Sequence, residues 1–196
     1  MSYSITALTN DYYEGTNCLI NKFNIQNEEQ LAKIEASITL AKTAELERNP
    51  INDSFDFEHY KQIHKYLFED LYEWAGKVRT VDISKKGTNF TSAETIETIA
   101  NACFKRLKNQ NYFKNIDFDK FIDYIVDFYC STNMLHPFRE GNGRTQRIFI
   151  AQLIRFCGYD INFSEIDSDE LMVATIHSAN GITDSLKEIF KNHITH

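Results

Sequence analysis

Proline occurs only twice in 196 residues, at Pro50 and Pro137, and both fall between segments of helical periodicity. Because proline removes a backbone donor and disrupts the helical turn before it, its scarcity leaves most of the chain free to be helical. Cysteine is also sparse: Cys18, Cys103, Cys130 and Cys157 are far apart and form no Cys-x-x-Cys pair, which argues against a zinc site or a disulfide frame and for buried, reduced thiols. The six histidines include no His-x-x-x-His pair, so a histidine metal site has little support. Basic residues are outnumbered, 21 to 28, giving a formal charge of −7 where a general nucleic-acid binder would carry a basic surface. No apolar run approaches the length of a membrane span, and the N-terminus, Met-Ser-Tyr-Ser-Ile-Thr, has neither the basic region nor the apolar stretch of a signal peptide. A cytoplasmic protein, or one whose export would need another kind of signal, is therefore expected, without membrane or nucleic-acid partners.

What the chain does have is apolar and aromatic residues, 42% and 13%, enough to exclude disorder and to bury the core of a single domain. Residues 1–27 are polar and Asn-rich with scattered aromatics (Tyr12, Tyr13, Phe23), an N-terminal arm packed on a body spanning 28–196. From Glu28 to Arg48, Leu31, Ile34, Ile38 and Ala41 recur at three- and four-residue steps, and Asn49-Pro50 ends the helix. Further helices are predicted at about 57–69, 93–109, 118–134, 144–157, 167–179 and 183–193, with no repeat and no low-complexity tract. One segment departs from this pattern. In 78–91, Val-Arg-Thr-Val-Asp-Ile-Ser-Lys-Lys-Gly-Thr-Asn-Phe-Thr, β-branched residues alternate with polar ones about Lys85-Lys86-Gly87, a hairpin signature.

The chemistry is concentrated in His136-Pro-Phe-Arg-Glu-Gly-Asn-Gly-Arg-Thr-Gln-Arg147, which lies between two apolar helical patterns. The loop would empty into a helix N-terminus, where amides lack intrahelical acceptors and the dipole is positive, so a phosphate is stabilised there. Gly141 and Gly143 allow consecutive amides to face one anion. Arg144 and Arg147, three apart, would present two guanidinium forks to it. Phe138 is the anchor that pins the loop by burying its ring.

The motif matches His-x-Phe-x-(Asp/Glu)-Gly-Asn-Gly-Arg-x-x-Arg at all its fixed positions: His136, Phe138, Glu140, Gly141, Asn142, Gly143, Arg144 and Arg147. The chain thus resembles the Fic-domain family, and the similarity extends upstream through Ile63-His64-Lys65-Tyr66-Leu67-Phe68, Leu71-Tyr72-Glu73-Trp74-Ala75-Gly76 and Val81-Asp82-Ile83-Ser84-Lys85, covering roughly residues 28 to 193. It implies an all-α helical bundle, the Fic fold, with a short β-hairpin flap over the active site. It also implies transfer of AMP from ATP to a Tyr, Thr or Ser hydroxyl of a target protein. His136 would be the general base and Glu140 the ligand of Mg²⁺. Gly141, Asn142 and Gly143 would cradle the phosphates; Arg144 and Arg147 would neutralise the leaving group, Arg147 at the γ-phosphate. The flap residues Lys85, Gly87, Thr88, Asn89 and Phe90 would hold an extended stretch of target by β-augmentation, with Phe90 as a hydrophobic clamp.

Many family members are restrained by a helix bearing (Ser/Thr)-x-x-x-Glu-(Gly/Asn), whose glutamate pairs with the second motif arginine. Here Thr43 and Glu47 are followed by Arg48, and Ser54 and Glu58 by His59, so neither completes the pattern. The resemblance then points to members restrained by a separate small antitoxin. Competing expectations are phosphotransfer or another nucleotidyl transfer on the same scaffold, and a catalytically silent nucleotide-binding module. The presence of Gly143 favours AMP over phosphate, and His136 with Glu140 argues against a silent binder.

Overall fold

In a computed structural model of the chain, residues 4–5, 11–51 and 54–195 are described. Seven α-helices form the body: α1 (Glu28–Arg48), α2 (Phe57–Phe68), α3 (Ile96–Asn109), α4 (Phe118–Leu135), α5 (Asn142–Phe156), α6 (Ser168–Ser178) and α7 (Asp184–His193). Short polar side chains set several starts. Asn27 accepts from the Gln30 amide at 2.9 Å, Asp56 from His59 at 2.8 Å, and Asp117 from Lys120 at 3.0 Å. Each satisfies an amide the first turn leaves unpaired. Helix α5 has no side-chain cap; it follows Gly141, whose backbone is left-handed (φ 77°). No helix of the described residues is long and apolar enough to cross a membrane.

The core is built around α4 and α5. From α5, Ile148, Phe149, Ile150, Leu153 and Ile154 are buried, and from α4 Phe121, Ile125, Val126 and Phe128. Phe149 meets Tyr60, Phe104 and Phe55 edge-on at centroid distances of 5.3, 5.5 and 5.7 Å, locking α2, α3 and the segment before α2 onto α5. A polar contact fixes the axial position of α5 against α4. The buried Gln146 amide donates to the Tyr129 carbonyl at 2.7 Å and to Thr132 Oγ1 at 2.8 Å.

The hairpin falls within the stretch expected for it. Strands β2 (Ile83–Lys85) and β3 (Thr88–Asn89) pair antiparallel, Ser84 opposite Asn89 and Lys85 opposite Thr88. Lys86 (φ 50°) and Gly87 (φ 80°) form the two-residue turn, both left-handed, a geometry that matches the strand twist. Strand β1 (Ser4–Ile5) covers the other side of β2, with Ile5 opposite Ile83. Strands β4 (Asp160–Ile161) and β5 (Ile194–Thr195) form a second small sheet. Neither β1 nor this sheet was expected, because a two-residue strand is too short to show a periodicity. Helix α5 begins two residues earlier than the expected 144, since the left-handed Gly141 already supplies the break before it.

Gln146→Leu is expected to leave buried acceptors on α4 short of a donor and to destabilise the fold by about 1–3 kcal/mol. Urea denaturation would check this: an unchanged midpoint would mean that the Gln146 contacts do not hold α5 against α4.

Candidate active site

His136 follows the last turn of α4 in a left-handed conformation (φ 41°, ψ 59°), which turns the chain away from the helix axis. Its Nδ1 lies 3.0 Å from the Asn133 carbonyl. A carbonyl can only accept, so Nδ1 carries the proton and Nε2 the lone pair, the tautomer a general base requires. Burial lowers the His136 pKa to about 3; the Lys85 and Arg79 charges push the same way, and the Asn133 bond opposes them. The imidazole is therefore neutral and able to take a proton at physiological pH.

The loop after His136 is closed by two contacts. Asn142 Oδ1 accepts from the Phe138 amide at 2.8 Å, and Asn142 Nδ2 donates to the Phe138 carbonyl at 2.7 Å, so the side chain pairs with its neighbour's backbone as a strand would. Phe138 is fully buried and stacks on His64, with centroids 3.8 Å apart and ring planes 16° apart. His64 Nε2 donates to the Glu140 carbonyl at 3.0 Å, while its Nδ1 accepts from the Gly76 amide at 2.8 Å. Both nitrogens are thus committed in the neutral form, and burial lowers the His64 pKa to about 3. Gly141 passes so close to Phe68 that a Cβ there would lie 2.2 Å from the ring.

A cavity of about 430 Å³ opens over the start of α5. Its polar wall carries His136, Glu140, Gly141, Gly143, Arg144 and Arg147, and its apolar wall includes Phe163, Ile166, Leu171, Met172 and Ile176. The flap contributes Lys85, Lys86, Thr88 and Phe90, and Lys86 Nζ reaches Met172 Sδ on α6 at 2.9 Å. Six of the motif residues expected at the site are thus brought together around one space. Phe138 and Asn142 do not line it; nor do Gly87 and Asn89 of the flap. The phosphate cradle expected of the Asn142 side chain is replaced by a structural task, because both its polar atoms are used by Phe138.

The two motif arginines have different surroundings. Arg144 is already engaged: it donates to Glu35 Oε1 at 2.5 Å and Thr39 Oγ1 at 3.2 Å, both on α1, and lies over the Phe68 ring at 4.8 Å. Tyr72 donates to the other oxygen of Glu35 at 2.5 Å. Arg147 makes no hydrogen bond or ion pair with any described residue, and burial works against its charge. A desolvated guanidinium without a counter-charge favours an incoming anion. Glu140 is partly exposed; its Oε1 accepts from the Gly141 amide at 2.9 Å and lies 3.9 Å from Arg144. Among the described residues no three His, Cys, Asp or Glu side chains gather as a metal-binding group.

Several residues of the site were not singled out from sequence. Arg79, buried ahead of the flap, donates from Nε to the His136 carbonyl at 2.9 Å and from a terminal nitrogen to Val81 at 2.7 Å, and its other terminal nitrogen bonds the Thr91 carbonyl. Arg139 is held by Asp11 at 3.1 Å and lies over Tyr12, tying the segment before α1 to the motif. Glu35 was hidden in a helix whose apolar repeat drew the attention. His64 and Arg79 lay in segments that had been picked out for other reasons.

The sequence profile of the Fic/DOC family matches residues 54–154. The chain belongs to the Fic/DOC family. It is 36% identical to the protein adenylyltransferase VbhT of Bartonella schoenbuchensis over 95% of its own length, and spans 40% of that protein. It is 31% identical to a protein of Escherichia coli K12 described as "Probable protein adenylyltransferase Fic", covering 93% of this chain and 90% of that one. Among solved structures, BepC of Bartonella tribocorum with bound AMPPNP superposes with a TM-score of 0.87 at 25% identity, over 94% of this chain and 96% of that one. The N-terminal Fic domain of a Bartonella quintana protein with bound ADP superposes at 0.89 and 26% identity, over 94% of both chains.

Two outcomes are expected of this Fic/DOC protein. Gly141→Ala should cost about 1–2 kcal/mol for the left-handed backbone and about 1–3 kcal/mol for crowding Phe68, and thermal unfolding would show it; unchanged stability would mean that the close approach is not constrained. His64 and His136 have folded-state pKa values of about 3 against an ordinary 6.5. Between these values the unfolded chain binds more protons, so stability falls as the pH drops below 6.5, by up to about 1.4 kcal/mol per pH unit for each residue. Denaturant midpoints measured from pH 7 to 4.5 should decline less steeply in His136→Gln than in the wild type.

Proposed function

We propose that this protein is a protein adenylyltransferase that moves AMP from ATP to a Tyr, Thr or Ser hydroxyl of a target protein. The observation that carries this is the joint placement, around one cavity, of a neutral histidine with its lone pair on Nε2, an uncapped helix N-terminus, and a half-buried arginine without a counter-charge among the described residues. The target oxygen attacks the α-phosphorus, its proton passes to His136 Nε2, and the bond from the α-phosphorus to the bridging oxygen breaks with release of pyrophosphate. Positioning and charge neutralisation provide most of the acceleration in such transfers. The amides of Gly143 and Arg144 together with the Arg147 guanidinium face the phosphates, and the apolar wall from Phe163 to Ile176 accommodates the nucleobase. Bound nucleotides in the related structures support this assignment.

Glu140 fits Mg²⁺, a hard cation that is satisfied by one or two carboxylates with waters and phosphates and needs no all-protein cage. The ion, when bound, offsets phosphate charge; Glu140 would hold it, oriented by the Gly141 amide. On the flap, the edge of β3 accepts the target backbone, because β1 covers the other side of β2.

For regulation we propose a separate small antitoxin bearing (Ser/Thr)-x-x-x-Glu-(Gly/Asn). In its support, the carboxylate that α1 directs at the motif, Glu35, holds Arg144, while Arg147 has no carboxylate partner among the described residues. The partner's glutamate would occupy Arg147 through a charge-assisted bond and exclude the γ-phosphate.

Incubating the purified protein and cell lysate with ATP labelled at the α- or the γ-phosphate tests the reaction. Label from the α-position is expected on protein; transfer of the γ-label alone would establish phosphotransfer instead, and neither would leave a silent nucleotide binder. His136→Ala is expected to reduce transfer by about 10²–10⁴-fold while the affinity for ATP, read by calorimetry, persists.

A further inference from the structure

Phe90, expected to grip the target, packs in this structure on the residue assigned as the base. Its ring lies parallel to the His136 imidazole, with centroids 3.7 Å apart and planes 14° apart. Phe90 directly follows β3 and its amide donates to the Ile83 carbonyl at 3.3 Å, so it moves with the hairpin. The next residue, Thr91, is fastened to the end of α4: its amide and its hydroxyl each donate to the Met134 carbonyl at 3.0 Å. Arg79 then joins Val81 at one end of the flap, Thr91 at the other and the His136 carbonyl through a single guanidinium. Flap and base therefore share one set of bonds and one ring stack.

The Asn133 carbonyl holds Nδ1 of the imidazole. The torsion that sets the ring plane is broad for histidine, and rotation about it would carry Nε2 along an arc. A parallel aromatic face at van der Waals distance narrows that arc. We propose that Phe90 is a positioning residue for the reaction, its ring setting the plane of the His136 imidazole, so that docking of a target strand on the flap and alignment of the base are one mechanical event. This rests on the adenylyltransferase assignment for His136 and adds to it a route by which target binding reaches the chemistry. It also means that one face of the imidazole is covered, and the hydroxyl approaches Nε2 in the plane of the ring.

A ring that positions the base and an apolar clamp on the target differ in what replaces them. With α-labelled ATP and lysate protein as acceptor, rates over a range of lysate concentrations separate the maximal rate from half-saturation. Phe90→Leu is expected to lower the maximal rate about 10- to 100-fold, the scale of a misplacement of about 1 Å, with half-saturation nearly unchanged. Phe90→Tyr, which retains the ring, is expected to stay within about threefold of wild type. If Phe90→Leu keeps the maximal rate and shifts only half-saturation, Phe90 grips the target and the positioning role is overturned. A second measurement does not depend on activity: in proton NMR the His136 ring signals should be displaced upfield by the Phe90 ring current and return in Phe90→Leu, with the amide spectrum otherwise that of a folded protein. Identical His136 signals in the two proteins would overturn the stack itself. A wild type that labels no protein while showing the ring-current shift would sink the adenylyltransferase assignment and leave the stack standing.

Discussion

The pairing of the Asn142 side chain with the backbone of Phe138 is the contact on which the rest of the site depends. It closes the chain between α4 and α5 into a loop of fixed size, so His136 at the end of one helix shares a cavity with the first turn of the next. The loop could not be so tight with any residue but glycine at 141, where the backbone is left-handed and Phe68 occupies the space a side chain would need. Phe138, clasped between Asn142 and the His64 ring, carries the same constraint into the core, since His64 also holds the Glu140 carbonyl. The motif is therefore a covalent and hydrogen-bonded frame as much as a set of reactive groups. Its most buried members, Phe138 and Asn142, hold the frame while the others face the cavity.

Charge is distributed unevenly across this frame. Arg144 is neutralised by Glu35 and held by Thr39, and a cation so engaged adds shape and local order more than attraction for an anion. Arg147 and the first turn of α5 are left to provide the attraction. Arg147 is partly buried, and a partly desolvated cation pulls on an anion more strongly than one at the surface. The same kind of desolvation keeps the His136 imidazole neutral. The positive charges of Lys85 and Arg79 act on the imidazole in the same direction.

The flap shows how local and tertiary causes divide the work. Lys86 and Gly87 select the turn by themselves, because two consecutive left-handed residues close a two-residue hairpin. Where the hairpin points is decided elsewhere, by Arg79 gathering the two flap ends and by Thr91 bonding to Met134. A buried arginine before a hairpin carries no signal in sequence of what it will bind, because its partners are backbone carbonyls, which every residue has. Glu35 escaped notice for a related reason. Its partner is 109 positions away, and on α1 it occupies an ordinary polar position between apolar ones.

The sequence by itself determined the helices, whose apolar residues recur with the period that buries one face, and their starts, where short polar side chains cap the first turn. It determined the hairpin and the order of chemical groups from His136 to Arg147, since the glycines, the base and the cations are neighbours along the chain. Only the tertiary structure decided which of those groups face the cavity. Asn142 turns inward to Phe138, Arg144 is taken by α1, Arg147 is left without a counter-charge among the described residues, and Phe90 stacks on His136. Each of those outcomes depends on residues distant in sequence competing for the same hydrogen-bonding atoms or the same space, and such competition is settled only when the chain has packed.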